Sequence, residues 1–185
     1  GRLRLGVGTG WNYVEYDSLN ENFTNRGIRQ EEQIELLRAL WTEPVIDYEG
    51  DYHRVERAGL KPLPARQIPI WFGGFAPVAF RRAARIGDGF IYGSNHEQNL
   101  LAHASVLAEL NQAQRPVEQF GFEALLNYQS GPENWRREIK DWQAAGADYV
   151  AMRAMALAKG EGLGSPQAHI DVLQEYWRVV GDLAD

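Results

Sequence analysis

Apolar positions along the chain fall into two alternating patterns: short apolar runs bounded by glycine or proline, and longer stretches with apolar residues three and four apart. The first pattern reads as strand and the second as helix. Leu3 to Gly8 alternates and ends in glycines, which predicts a strand. Over Thr24 to Trp41, the residues Ile34, Leu37 and Trp41 form a stripe with Leu36 and Leu40 beside it. Glu31, Glu32, Glu35 and Arg38 take the wetter side, so the stretch predicts a helix that Pro44 stops. The helical period is lost over 45–67. Val45 to Tyr48 and Tyr52 to Val55, around Glu49-Gly50-Asp51, predict a small hairpin closed by Pro62 and Pro64, within an insertion spanning about 43–67.

From there one unit repeats. Ile68 to Phe72 runs into Gly73-Gly74, a buried-strand pattern. Pro77 opens a helix to about Ile86, with Val78, Ala79, Ala83 and Ile86 inward and Gly87 as its stop. Asp88 to Tyr92 is the next strand, and Ser94 or Asn95 caps a helix over 96–113. Phe120 to Leu126 is a strand, and Ser130 and Glu133 have capping-box spacing for a helix ending at Gly146. Asp148 to Met152 is the last strand. A glycine-rich loop from Gly160 to Gly164 follows, and Ser165-Pro166 opens a final helix through Val180.

Five strands, each followed by a helix, imply an α/β fold of parallel strands with right-handed crossovers. Two architectures fit: an open doubly wound sheet, or a partial (β/α)₈ TIM barrel. A complete barrel typically needs roughly 250 residues. With 185 residues the chain holds five of its eight units and is expected to form a single domain over 1–185.

Composition narrows the function. A net charge of -6 argues against a nucleic-acid or anionic-membrane surface. No cysteine is present, which excludes disulfides, thiolate metal sites and cysteine nucleophiles. No apolar run is long enough to span a bilayer and no signal-peptide pattern opens the chain, so the expected location is cytoplasmic. His53, His96, His103 and His169 sit in different predicted elements without metal-ligand spacing. No nucleophile elbow or triad is visible. Most of the six Trp and eight Tyr are expected in the core.

Four features carry candidate chemistry. Gly73-Gly74-Phe75-Ala76 lies between a buried strand and a helix start, where an anion can approach bare backbone and the positive end of the helix dipole. A tight turn that needs glycine for its dihedrals is the equal alternative. Gly6-Val7-Gly8-Thr9-Gly10-Trp11-Asn12 also ends a strand. It reads either as backbone beneath a flat ring or as a flexible loop. Arg26, Arg29, Glu31 and Glu32 read as a solvated helix start with ion pairs. Arg153, directly after the last strand, is a candidate anion contact or a surface ion pair.

Taken in order, Gly8-Thr9-Gly10-Trp11, Glu15-Tyr16, Arg26-Gly27, Leu37 to Trp41, Tyr48 to Tyr52, Ile68 to Gly74 and Arg82 to Phe90 resemble the luciferase-like monooxygenase superfamily. The closest flavour is its deazaflavin (coenzyme F-420) dependent oxidoreductases. The resemblance implies a (β/α)₈ barrel entered at about its fourth strand, strands 4–8 with their helices, plus the hairpin insertion. It implies coenzyme F-420 as first choice of cofactor, or FMN. Gly73, Gly74, Phe75 and Ala76 would meet the cofactor phosphate, and Gly8, Gly10 and Trp11 the ribityl chain or ring. Many relatives carry a serine near the Ala76 position. Asn12 sits near a loop asparagine used by some deazaflavin relatives.

The resemblance also implies that the first three barrel strands supply the acid–base residues, so this sequence names no catalytic acid or base. The expected activity is hydride transfer or monooxygenation of a small organic substrate, with Arg153 as a substrate contact. The alternative is a truncated, non-catalytic barrel fragment that pairs its open edges with another chain. Open edges make a homo-oligomer the expected state.

Overall fold

A computed structural model describes residues 2–155 and 163–183, so the expected glycine loop before Ser165 lies mostly outside the described residues. The chain divides into two compact units, residues 1–70 and 71–185.

In the first unit, β1 (Leu5–Val7) leads into two helices, α1 (Tyr13–Ser18) and α2 (Arg26–Thr42). The Leu5 N–H donates to the Pro69 carbonyl (2.9 Å), and Arg66 Nη2 donates to the Leu3 carbonyl (2.9 Å). Those bonds lay β1 beside the run into β4 (Ile70–Gly73). The short helix α1 has no counterpart in the hydrophobic pattern; a local cap makes it. Asn12 Oδ1 accepts the Val14 N–H (3.3 Å) and Asn12 Nδ2 donates to Glu15 Oε1 (3.1 Å).

Helix α2 ends where expected. Pro44 disfavours the helical region for the residue before it, and Glu43 is extended. Ile34 and Leu36 are its buried apolar residues, while Leu37 and Trp41 are only partly buried. β2 (Ile46–Glu49) and β3 (Arg54–Ala58) form the expected antiparallel hairpin, pairing Tyr48 with Val55 and Glu49 with Arg54. The register slips between Ile46 and Tyr48, where Asp47 Oδ1 accepts the Arg57 N–H (2.9 Å) and Arg57 takes a φ of 46°.

In the second unit, β4, β5 (Gly89–Tyr92), β6 (Gly121–Asn127) and β7 (Tyr149–Arg153) form a parallel ladder in that order. Helices α3 (Pro77–Ile86), α4 (His96–Gln112), α5 (Pro132–Ala144) and α6 (Pro166–Val180) follow the strands in turn. The core is aromatic. Phe72, Phe90, Tyr92 and Phe122 from the strands are buried with Phe80 of α3 and with Trp135 and Trp142 of α5. β5 and β6 both begin with glycine because the Trp71 indole lies across them. A Cβ on Gly89 would come within 2.4 Å of that ring, and one on Gly121 within 2.1 Å.

Two local expectations are corrected. Val78 is 53% exposed, because the first two residues of α3 point outward; Ala79 and Ala83 are buried as expected, together with Phe80, Arg82 and Ala84. Ser130 and Glu133 form no capping box. Gly131 takes the N-cap with a φ of 82° and Pro132 is the first helical residue, leaving Ser130 Oγ to donate to the Asn127 carbonyl (2.9 Å). Asn95 and Ser165 do cap α4 and α6, accepting the N–H groups of Gln98 and Ala168. Among the described residues no helix is long and apolar enough to cross a membrane.

Candidate functional site

The turn after β4 is built for a bare backbone. Gly74 has a φ of 151°, a region that L side chains rarely adopt, and a Cβ there would sit 2.8 Å from the Ala79 Cβ. Gly73 is roomier: its added Cβ would be 3.6 Å from the nearest atom, the Ile91 carbonyl oxygen. Ala76 is the N-cap of α3 and offers no side-chain acceptor, while Pro77 has no N–H. The Ala79 and Phe80 N–H groups fold back onto the Ala76 carbonyl (2.8 and 3.4 Å). The positive end of the helix dipole therefore faces the turn without a capping side chain. Phe75 is 71% exposed, and Gly74 and Phe75 open on a cleft of about 410 Å³ whose far wall includes Gly93, Ser94, Asn99 and Ala102.

A second, larger cleft of about 990 Å³ lies over the C-terminal ends of β5, β6 and β7. Gly93 and Ser94 line this one too, so the turn from β5 to α4 divides the two clefts. Arg153 stands at the end of β7 in the larger cleft. Its Nη1 donates to the Gly93 carbonyl (2.9 Å), and its Nη2 donates to the Ser94 carbonyl (3.3 Å) and to Asn127 Oδ1 (2.6 Å). Its Nε is buried with no hydrogen-bond partner among the described residues. Burial lowers the guanidinium pKa, and no carboxylate pairs with it among the described residues. Among the described residues the surface ion pair, one of the two readings open from sequence, does not form.

Helix α5 lines the same cleft with Arg137, Glu138 and Asp141. Burial raises the Glu138 pKa; His96, the hydroxyl of Ser130 and Arg137 oppose that shift, and Asp141 adds to it. His96 Nε2 meets Asp141 Oδ2 at 2.9 Å. Asn95, the cap of α4, and His96, its first residue, line this cleft with Arg153. Asn99, Asn127, Glu138 and Asp141 escaped the sequence reading, and Ser94 entered it only as a cap candidate. The only signal for Asn99 was the cap position before it, and Glu138 and Asp141 sit on a helix that reads as amphipathic surface.

In the first unit, the turn Gly8–Trp11 has a different character. A Cβ on Gly8 would meet nothing within 4 Å. Gly10 has a φ of 71° and its Cβ would lie 3.5 Å from the Tyr16 ring, an ordinary contact. The Tyr16 hydroxyl donates to the Thr9 carbonyl and Arg26 Nε to the Gly10 carbonyl (3.2 Å), so the turn is tied down. Trp11 is 84% exposed. Asn12 is occupied as a helix cap.

Glu32 is no solvated helix-start residue. Its carboxylate accepts from the Asp51 N–H (2.8 Å), the Tyr52 N–H (2.9 Å) and His53 Nδ1 (2.7 Å), clamping the hairpin onto α2. A Cβ on Gly50 would fall 2.5 Å from that carboxylate, which is why the hairpin turn carries glycine. Arg29 does form an ion pair, with Glu21. Among the described residues no group of His, Asp and Glu could hold a metal ion. His103 is a core histidine. Its Nε2 donates to the Ala145 carbonyl (3.1 Å), which leaves Nδ1 to accept from the Tyr92 hydroxyl (3.0 Å).

The profile of the luciferase-like monooxygenase family matches residues 1–122. The F-420-dependent glucose-6-phosphate dehydrogenase of Nocardia farcinica is 32% identical over 157 residues, covering 77% of this chain and 45% of that protein. The enzyme of the same description from Rhodococcus hoagii is 29% identical, with the same shares covered. The chain thus spans about half the length of the curated relatives it matches. Among solved structures, monooxygenase RslO1 from Streptomyces bottropensis superposes with a TM-score of 0.78 at 16% identity, covering 100% of this chain and 70% of that one. An F-420-dependent secondary alcohol dehydrogenase, in complex with an F-420–acetone adduct, gives 0.71 at 17% identity, with 100% and 71% covered. At these identities the likeness speaks for the fold: α/β, part of a (β/α)₈ barrel, which is one of the two architectures the strand–helix alternation leaves open and the one the resemblance implies.

Proposed function

The chain belongs to the luciferase-like monooxygenase family, and from that premise we propose that it forms the cofactor-phosphate side of an oxidoreductase. Coenzyme F-420 is the first choice of cofactor and FMN the second. The names of the relatives from Nocardia farcinica and Rhodococcus hoagii favour F-420. The observation that carries the reading is Gly74: its φ of 151° and the 2.8 Å approach to Ala79 admit no side chain, at a strand end facing an uncapped helix start.

In this reading the phosphate lies against Gly73, Gly74, Phe75 and Ala76. The bound cofactor supplies the hydride chemistry. The residues of this chain bind the phosphate, orient the group and wall off water. A small organic substrate occupies the larger cleft, with Arg153 as its cationic wall.

Titration of the full-length protein with F-420 and, separately, with FMN tests this. The deazaflavin absorbs and fluoresces at shorter wavelength than FMN, so the two signals are distinct. Saturable binding of F-420, tighter than FMN, is the expected result. Binding of FMN alone moves the reading towards oxygen activation, and binding of neither removes it.

A further inference from the structure

The turn Gly93–Ser94 is a wall of both clefts and is gripped from two sides. From α4, Asn99 reaches back, 2% exposed: its Oδ1 accepts the Ser94 N–H (2.8 Å) and its Nδ2 donates to the Ser94 carbonyl (3.1 Å). From β7, the Arg153 fork takes the Gly93 and Ser94 carbonyls and ties them to Asn127 at the end of β6. The Ser94 carbonyl thus accepts from both residues. Phe75 lies over the same turn, since a Cβ on Gly93 would be 3.9 Å from its ring. Both Nη groups of Arg153 are spent on neutral acceptors, which is the work of a strut more than of a ligand contact. A planar guanidinium can serve three acceptors on two strands in this way; a lysine ammonium cannot hold the same geometry.

We propose that Asn99 and Arg153 are positioning residues that fix the Gly93–Ser94 turn. Through it they set the wall that the cofactor-phosphate cleft shares with the substrate cleft. The inference rests on the functional reading above and deepens the role given there to Arg153: it acts on substrate and cofactor through the turn, by its fork geometry, and not by charge alone.

The test is fluorescence titration of the full-length protein with F-420, using Asn99→Ala, Arg153→Lys and Arg153→Gln, each first checked for a native circular dichroism spectrum. Asn99→Ala and Arg153→Lys are expected to weaken F-420 binding roughly tenfold, the size of one or two lost hydrogen bonds. Arg153→Gln should behave like Arg153→Lys. The double variant should lose less than the product of the single losses, because both residues hold one turn.

If Asn99→Ala fails to fold, Asn99→Asp takes its place. It keeps the acceptor for the Ser94 N–H but sets a carboxylate oxygen against the Ser94 carbonyl, and the same weakening is expected. Two results overturn the inference while leaving the functional reading intact: variants that bind F-420 as the parent does, or a lysine that restores what glutamine loses, which makes Arg153 a charge contact. A parent that binds no F-420 overturns both.

Discussion

The glycine turns at Gly73-Gly74 and at Gly8, one in each unit, both follow strands, and on sequence alone they look alike. The structure separates them. At Gly74 the backbone has a φ of 151° and an added Cβ would crowd Ala79, whereas at Gly8 an added Cβ would meet nothing. The first turn opens on an uncapped helix start and a cleft. The second is followed at once by a helix whose cap, Asn12, is already engaged, and its carbonyls are bonded by Tyr16 and Arg26. A glycine after a strand is therefore not a phosphate signal by itself. What distinguishes the cases is whether the backbone forbids a side chain and whether the helix beyond leaves its dipole uncapped.

That contrast can be broken in order of size. Gly74→Asp should abolish F-420 binding in a folded protein, through bulk and like charge against the phosphate; retained affinity in a titration would remove the phosphate assignment. Gly74→Ala should cost about 1–3 kcal/mol of stability from backbone strain and weaken binding as well, read by denaturant unfolding alongside the titration.

The units should also part company in acid. Burial holds the His103 pKa below its usual 6.5, against the hydrogen bond to Ala145, so its contribution is present above that pH and is lost as pH falls through and below it. For Glu32 burial raises the pKa, but hydrogen bonds from His53, Tyr52 and Asp51 outweigh it and lower the value from 4.5. Its contribution therefore persists until pH drops below about that value. Hydrogen exchange should show core amides near Val106 loosening at higher pH than the Asp51 and Tyr52 amides, and His103→Gln should remove the earlier loss. Gly10→Ala should cost ~1 kcal/mol for its φ of 71°. Gly8→Ala should change stability by less than about 0.5 kcal/mol.

Much of the fold was legible because buried parallel strands and their helices carry strong periodicity. β4 to β7 and α3 to α6 fall within a few residues of their expected bounds. Helix α1 was invisible because a side-chain cap makes it, and caps leave no period. The Val78 and Ser130 expectations failed for a related reason. Spacing tells which residues share a face, but not which way the first turn of a helix points, nor that Gly131-Pro132 will start the helix before a capping box can form. The candidate site was half legible. Glycines at strand ends and an arginine at a strand end are local signals. The grip of Arg153 on the Gly93–Ser94 turn joins residues 60 and 59 positions apart, and no local pattern records it. Glu32 shows the same limit: it reads as a surface acid, yet its three donors come from 19 to 21 residues away.

A crystal structure of the full-length protein with F-420 bound tests the central claim most directly. The account predicts a cofactor phosphate within hydrogen-bonding distance, about 3 Å, of the main chain between Gly73 and Ala76, with no side chain between them. A phosphate seated elsewhere, with the Gly73–Ala76 turn uncontacted, would contradict it.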